Sequence, residues 1–319
     1  MESNKVKLTF LGTGTSQGVP IIGCKCPVCT SRDRRDKRFR ASVLVEYEGM
    51  KILVDAGPDF RMQMLSQDVN HLDAILLTHN HKDHTGGLDD VRSLNYVDRR
   101  SAEIFCEKNV LEDLIREYPY VFQFPKYPGA PEWHMHVIDD SPFVVRPNSD
   151  DRELVWLHDI GYHYRLADGS FVPTGNKLED MIEMAEKLEG AEIGDQKKGA
   201  GIIPIRGLHG KLPVLGFRFG DIAYITDMSV LPESEFEKLK GLKHVTFNTV
   251  SYKPHHSHFN LEETLQLADE VGAEHTWLTH LSHTFPVYEK FCMDLEALCK
   301  ERGIRSIVQP AYDGLVIEA

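Results

Sequence analysis

The stretch "AILLTHNHKDHTGG", Ala74 to Gly87, decides how this chain is read. An apolar run with the character of a buried strand ends at Thr78. Three histidines and an aspartate then arrive within six positions: His79, His81, Asp83 and His84. A loop leaving a rigid strand is where a fold places functional side chains. On a helix these four residues would spread around the axis, whereas on a wrapped loop they can converge on a metal ion. Gly86 and Gly87 are expected to let the backbone turn tightly into a following helix, Leu88 to about Tyr96. A His-rich loop that is merely solvated has no need of this pattern behind an apolar strand.

One loop supplies only part of a metal site. Further ligand types close other apolar runs: Asp55 in "ILVDAG", His209 in "RGLHG", Asp227 in "YITD" and His280 in "WLTH". With the loop they make a complete dinuclear set. The surrounding pattern fits. "VKLTFLG", "ASVLVEYEG", "KILVDAG" and "DAILLTH" read as short strands, with a hairpin at "EYEGMKI". "GIIPIRGLHG", "LPVLGFRFG", "DIAYITD", "HVTFNTV", "HTWLTHLSH" and "RSIVQPAYDGLVIEA" supply a second set. Helices are expected at "NVLEDLIREY", "LEETLQLADEVG" and "VYEKFCMDLEALCKERG". Two sets of strands followed by helices suit an α/β fold in which two mixed sheets pack face to face with helices outside. Residues 148–200 differ in composition and read as an insertion within one domain spanning 1–319. A hairpin is expected around Asp168-Gly169. "KLEDMIEMAEKLEG" is expected to form a helix with Met181, Met184, Ala185 and Leu188 on one face.

The bulk numbers set limits. The chain has 319 residues, 41% apolar and 27% charged, which is ordinary globular composition. Its net charge of −13 argues against a general nucleic-acid surface. No apolar run has the length of a membrane span, and the first residues lack a signal-peptide pattern, so the expected location is the cytoplasm. Cys24, Cys26 and Cys29 fall within "GCKCPVC", and Cys106, Cys292 and Cys299 are scattered. In a reducing compartment three clustered thiols favour metal over disulfide. Three thiolates make part of a tetrahedral zinc site, and the candidate fourth ligand is His283, three residues past His280.

From "LTFLGTGTSQG" to "LTHLSH" the chain resembles the metallo-β-lactamase-fold hydrolases, which implies an αββα sandwich. The resemblance implies that His79, His81 and His209 hold one metal and that Asp83, His84 and His280 hold the other. Asp227 would bridge the two, and Asp55 would orient the loop from behind. Zn or Mn would suit such a pair. "GTGTSQGVPIIGCKCPVC" followed by "SRDRRDKRFRASVLVE" is similar to the phosphoribosyl 1,2-cyclic phosphate phosphodiesterases, the PhnP-like group. That likeness implies one structural zinc on Cys24, Cys26, Cys29 and His283. It also implies hydrolysis of a small cyclic or nucleotide-like phosphodiester.

In such a reaction a leaving alkoxide needs a proton, and histidine is a suited donor. His258 in "SYKPHHSHFNLEETLQLA" is the candidate, just before Asn260 as N-cap and Glu263 as its capping-box partner. The catalytic set is thus His258 with Asp83 and Asp55. The basic run Arg32 to Arg40 reads mainly as a solvated loop. Arg61 and Arg92 could face the cleft, while His134 and His136 in "WHMHV" read as packing or surface residues. Three other readings compete: a tRNA 3′-processing-type endonuclease, a thioester hydrolase, and a non-catalytic zinc-containing binding protein. The acidic charge weighs against the first, His258 against the second, and the complete ligand set against the third. A homodimer is left open.

Overall fold

The computed structural model describes residues 5–126, 129–147, 153–157, 161–174, 178–188 and 199–319. In chain order its strands are β1 (Lys7–Gly12), β2 (Ser42–Tyr47), β3 (Met50–Val54), β4 (Ala74–Leu76), β5 (Ala102–Glu107) and β6 (Trp133–Ile138). There follow β7 (Phe143–Val145), β8 (Glu153–Leu157), β9 (Gly161–Arg165), β10 (Phe171–Pro173), β11 (Ile182–Met184) and β12 (Ala200–His209). The last six are β13 (Leu212–Phe219), β14 (Ile222–Tyr224), β15 (His244–Asn248), β16 (His275–Thr279), β17 (Ile307–Pro310) and β18 (Val316–Glu318). The first sheet has eight strands in the order β11-β6-β5-β4-β3-β2-β1-β18. The second has seven, β17-β16-β15-β14-β13-β12-β7. A small third sheet joins β10, β9 and β8.

Each large sheet is antiparallel on one side and parallel on the other. β3 to β6 run parallel in the first, and β14 to β17 in the second. Parallel strands need both faces covered. The inner faces meet in one apolar layer containing Phe10, Tyr47, Phe105, Phe143, Phe217 and Phe219. The outer face of the first sheet carries Leu53, Ile75, Ile104 and Cys106 against the helices Phe60–Ser66 and Lys108–Glu117. The outer side of the second is covered by Leu261–Val271 and Tyr288–Arg302. This is the expected αββα sandwich. The expected hairpins are also present. Glu48 and Gly49, at φ 53° and 78°, form the two-residue turn between β2 and β3. Gly169, at φ 82°, turns β9 into β10.

The helix expected over "KLEDMIEMAEKLEG" is not formed. A 3₁₀ turn at Leu178–Met181 leads into β11, which pairs parallel to β6 with Ile182 opposite Met135. Met181 packs in the outer cluster, Ala185 packs in the inner one, and Met184 is exposed. No single helical face could serve those three environments. The open edge of β6 supplies backbone partners instead, including Val137 O for Ala185 N at 3.2 Å. Residues 177, 189 and 190 of that stretch lie outside the described residues. Among the described residues no helix is long and apolar enough to cross a membrane.

Candidate metal centre

Parallel strands deliver their carboxyl ends to one rim of the sandwich. Asp55 follows β3, the loop from His79 to His84 follows β4, Asp227 follows β14 and His280 follows β16. His209 closes β12. Three of these residues have left-handed backbone: Asp55 at φ 65°, Asp227 at 56° and His280 at 54°. Such a conformation costs a non-glycine residue roughly 1–3 kcal/mol and persists only where its surroundings enforce it. Here it turns each side chain off its strand toward a common centre. Gly86 and Gly87 do not supply unusual dihedrals, since their φ values are −69° and −100°. At Gly87 the requirement is space. A Cβ there would lie 2.1 Å from Gly57 O, and one on Gly57 would lie 2.0 Å from Asp83 O. The two backbones touch, and that contact presses the loop into the rim.

The sequence candidates converge. Asp227 lies at the middle, with Oδ2 2.8 Å from His84 Nε2 and Oδ1 2.9 Å from His280 Nε2. Asp83 Oδ2 is 3.3 Å from His84 Nε2 and 3.8 Å from His280 Nε2. On the other side the His79, His81 and His209 rings cluster, with centroids 4.7 to 5.5 Å apart. His79 also bridges toward His84, 4.3 Å away. Three sets of ligand atoms each fall within 4.8 Å of one another: His79, His81 and His209; His79, His84 and Asp227; and Asp83, His84 and His280.

The ring orientations are fixed from behind. Asp55, fully buried, takes Thr78 N at 2.9 Å and holds His84 Nδ1 at 2.7 Å. His209 Nδ1 donates to Ser257 O at 2.6 Å, and His79 Nδ1 meets Thr78 Oγ1 at 2.9 Å. Each contact occupies Nδ1 and leaves Nε2 facing the centre. Thr78 and the Ser257 carbonyl were not singled out in the sequence, since a lone threonine and a backbone oxygen carry no pattern there.

This donor set suits divalent metal. The buried atoms His79 Nε2, His84 Nε2 and both ring nitrogens of His280 make no hydrogen bond of good geometry. Buried polar groups without partners are costly. Ions at the centre would satisfy the three Nε2 atoms. Electrostatics point the same way. Burial opposes charge on His84, but Asp227, Asp55 and Asp83 outweigh it and push its pKa well above the ordinary value. His280 rises to about 9, where Asp227 and Asp83 outweigh burial. Burial works against ionised Asp227 and Asp83, yet His280 and His84 hold both below the usual carboxylate range. The carboxylates demand positive charge that protons alone must crowd onto two buried rings.

A second cluster sits beside the first. His283 Nδ1 is 3.3 Å from Cys24 Sγ and 3.5 Å from both Cys26 and Cys29 Sγ. Around a tetrahedral zinc, with Zn–S of about 2.3 Å and Zn–N of about 2.0 Å, the S-to-N edge is about 3.5 Å. The four residues therefore fit zinc as they stand. A hydrogen bond from Cys29 N, outweighing burial, brings Cys26 down to about 6, while burial pushes Cys29 up to about 11.

His258 reaches the centre too. Its Nδ1 is 3.2 Å from Asp227 Oδ1, and its ring lies 4.6 Å from His280 and 4.5 Å from His209. Burial and the neighbouring His280 push it down to about 3. The capping box behind it is formed, with Asn260 and Glu263 exchanging bonds of 2.9 and 3.2 Å. The basic run is more tightly held than a solvated loop. Arg38 is buried on Thr13 Oγ1 and Ala311 O, Arg40 pairs with Asp59, and Arg35 pairs with Asp33 and Glu289. Arg61 is exposed, and Arg92 pairs with Asp89 on the surface.

Residues 50–155 and 155–281 match the β-lactamase superfamily domain. The chain belongs to that family and has the metallo-β-lactamase fold, whose members bind divalent metals. Within it the chain is similar to a crystallised diphosphatase of the PhnP family, 31% identical with a TM-score of 0.71 over 99% of this chain and 97% of the other. The Anti-Pycsar protein Apyc1 of Saccharibacillus brassicae is 39% identical over 244 residues, 74% of this chain and 80% of the relative. An octanoyltransferase of Porphyromonas gingivalis is 33% identical over 314 residues, 94% of this chain. The chain spans about half of that relative's length, 53%.

Proposed function

We propose that this chain is a dinuclear phosphodiesterase acting on a small cyclic or nucleotide-like phosphodiester, with phosphoribosyl 1,2-cyclic phosphate the first candidate. His79, His81 and His209 would hold one metal, Asp83, His84 and His280 the other, and Asp227 would bridge them. The observation that carries the reading is Asp227, which faces His84 with one oxygen and His280 and His258 with the other. When bound, metals held by these residues would supply Lewis acidity, making a water more acidic and offsetting negative charge on the phosphoryl oxygens. The ions would be Zn or Mn, and the Cys24, Cys26, Cys29 and His283 cluster would hold one structural zinc.

The chain's own groups do the rest. Asp55 and Ser257 O keep His84 and His209 turned inward. His258 supplies the proton to the leaving alkoxide. Burial, His280 and its other imidazole neighbours, His209 and His255, outweigh the opposing pull of Asp227 and favour its neutral form. A phosphoryl anion beside it adds negative charge and favours its protonated form. A second reading, hydrolysis of a diphosphate bond, draws support from the 31% identical PhnP-family diphosphatase. The site chemistry is the same and the leaving group differs. We read the chain as one cytoplasmic domain, 1–319, with 148–200 inserted, acting on a small molecule rather than nucleic acid. A homodimer is compatible with this reading.

The test compares substrates. Wild type and His258→Ala, both with measured metal content, are assayed on phosphoribosyl 1,2-cyclic phosphate, a nucleoside diphosphate and bis(p-nitrophenyl) phosphate. The variant is expected to lose roughly 10²–10⁴-fold on the alkoxide leaving group and far less on nitrophenolate, which needs no proton. Equal losses on both would sink the role of His258. Turnover of the diphosphate alone would move the assignment to the second reading. Metal-loaded wild type that turned over none of the three would refute both.

A further inference from the structure

At the opposite end of the first sheet lies a second convergence of metal-binding side chains. β5 and β6 run parallel, with Glu103 opposite His134 and Phe105 opposite His136. Alternation along a strand puts Ile104, Cys106, Trp133 and Met135 in the outer cluster. Glu103, His134 and His136 therefore share the face turned toward the second sheet, as Phe105 and Ile138 do. β11 adds Glu183, opposite His136 on the same face. Glu103 aligns with Ala74 in β4, five residues before His79, so the cluster is roughly 15 Å from the rim along the strand direction.

Glu103 Oε2 is 3.0 Å from His134 Nδ1 and 2.5 Å from His136 Nε2. The imidazole centroids are 4.7 Å apart. Phe105 stacks on His136 at 4.3 Å and fixes that ring. Glu183 is 3.6 Å from His134 Nε2 with its side chain 64% exposed. One ligand atom from each of Glu103, His134 and His136 lies within 4.8 Å of the others.

We propose that Glu103, His134 and His136 form a further binding site for a first-row divalent cation, with Glu183 closing it from β11. Two imidazoles and a carboxylate, with an open side toward solvent, suit Zn²⁺ and its neighbours. Two imidazoles on one carboxylate oxygen are a poor ion pair. With both protonated, two cations stand 4.7 Å apart for one anion. A cation in their place leaves both rings neutral and the carboxylate ionised. The paired strands hold the three ligands in register before any ion arrives, so little ordering is required. The ion would tie β11, a three-residue edge strand, to β6 and β5. It thereby fixes the return of the chain from the small third sheet.

The experiment counts metal and does not depend on hydrolysis. Wild type, Glu103→Gln and the double variant His134→Ala/His136→Ala are loaded with zinc and passed through a desalting column. Zinc per chain is measured by plasma mass spectrometry, with circular dichroism as the control for folding. Both variants are expected to carry one zinc fewer than wild type and to keep wild-type hydrolysis of whichever substrate the enzyme accepts. Zinc titration of the chelator-treated proteins is expected to raise the melting temperature less in the variants. Should the double variant fail to fold, Glu103→Gln decides alone. Equal zinc content in all folded forms would overturn the site and identify the cluster as a protonated His–Glu pair.

Discussion

The rim cluster and the cysteine cluster stand a few residues apart, and the chain leaving β16 serves both, with His280 in one and His283 in the other. They are assembled in opposite ways. Three of the four residues of the cysteine cluster come from "GCKCPVC", seven residues whose local turn, with Cys29 N on Cys26 Sγ, is enough to gather them. The rim cluster is collected from five separate strand ends across two sheets, three of its positions held in left-handed backbone. Local sequence can build the first, whereas only the finished sandwich can build the second. The difference predicts unequal consequences of damage.

The largest effect is expected at Asp227. Asp227→Ala leaves His84 and His280 buried without the carboxylate between them, and breaking a buried charge pair costs about 3–5 kcal/mol. On the proposed reading the variant loses the rim metals and at least about 10³-fold in turnover, while the cysteine cluster keeps its zinc. Metal analysis beside kinetics checks this. Loss of all metal together would break the comparison, because the cysteine cluster would then depend on the rim. Next is Cys26→Ser. It is expected to release one zinc and to lower turnover by about 10–100-fold, the size seen when a supporting contact of a metal ligand is removed. The path is short: Leu281 N donates to Thr13 O at 2.8 Å, and the cysteine loop follows Thr13. Unchanged turnover would make the two clusters independent neighbours.

A smaller effect separates proton from metal. His71 sits between two carboxylates, 3.1 Å from Asp73 and 2.5 Å from Asp98, the reverse of the Glu103 cluster. Those hydrogen bonds outweigh burial and raise it to about 9. A group raised above its ordinary value near 6.5 stabilises the fold fully below that pH, and the stabilisation is lost as pH rises through about 9. Denaturation midpoints of wild type are expected to fall relative to those of His71→Gln between pH 6.5 and 9. Parallel curves would refute the charged pair.

These contrasts also mark what the sequence makes legible. The loop after β4, the cysteine spacing and the capping box are local patterns, and they are found where the spacing predicts them. The ends of β3, β12, β14 and β16 were identified because each closes an apolar run with a ligand-type residue. Residues 178–188 misled because a helical period in their apolar residues competed with an open sheet edge, and the edge lies in the fold rather than in the segment. Glu103, His134 and His136 could not be joined beforehand, since strand register across thirty residues is set by packing. The basic run failed for a similar reason: Thr13 and Ala311 O, which hold Arg38, are far from it in sequence.

The smallest predicted effect concerns what holds His258. Asn260 caps the helix Leu261–Val271 from two residues away, so the cap could be thought to position the ring. The backbone argues otherwise. Phe259 N donates to Met228 O at 2.8 Å, and Val250 N donates to Phe259 O at 3.0 Å. The first of those bonds ties the residue after His258 to the residue after Asp227, so His258 and Asp227 move as one. Asn260→Ala should therefore cost about 1 kcal/mol, a melting shift of about 2 °C in a chain of this size. It should leave turnover within about twofold, far below the 10²–10⁴ expected for loss of a general acid. A fall in turnover as large as that of His258→Ala would make the helix start, and not the strand-end backbone, the element that aims the histidine.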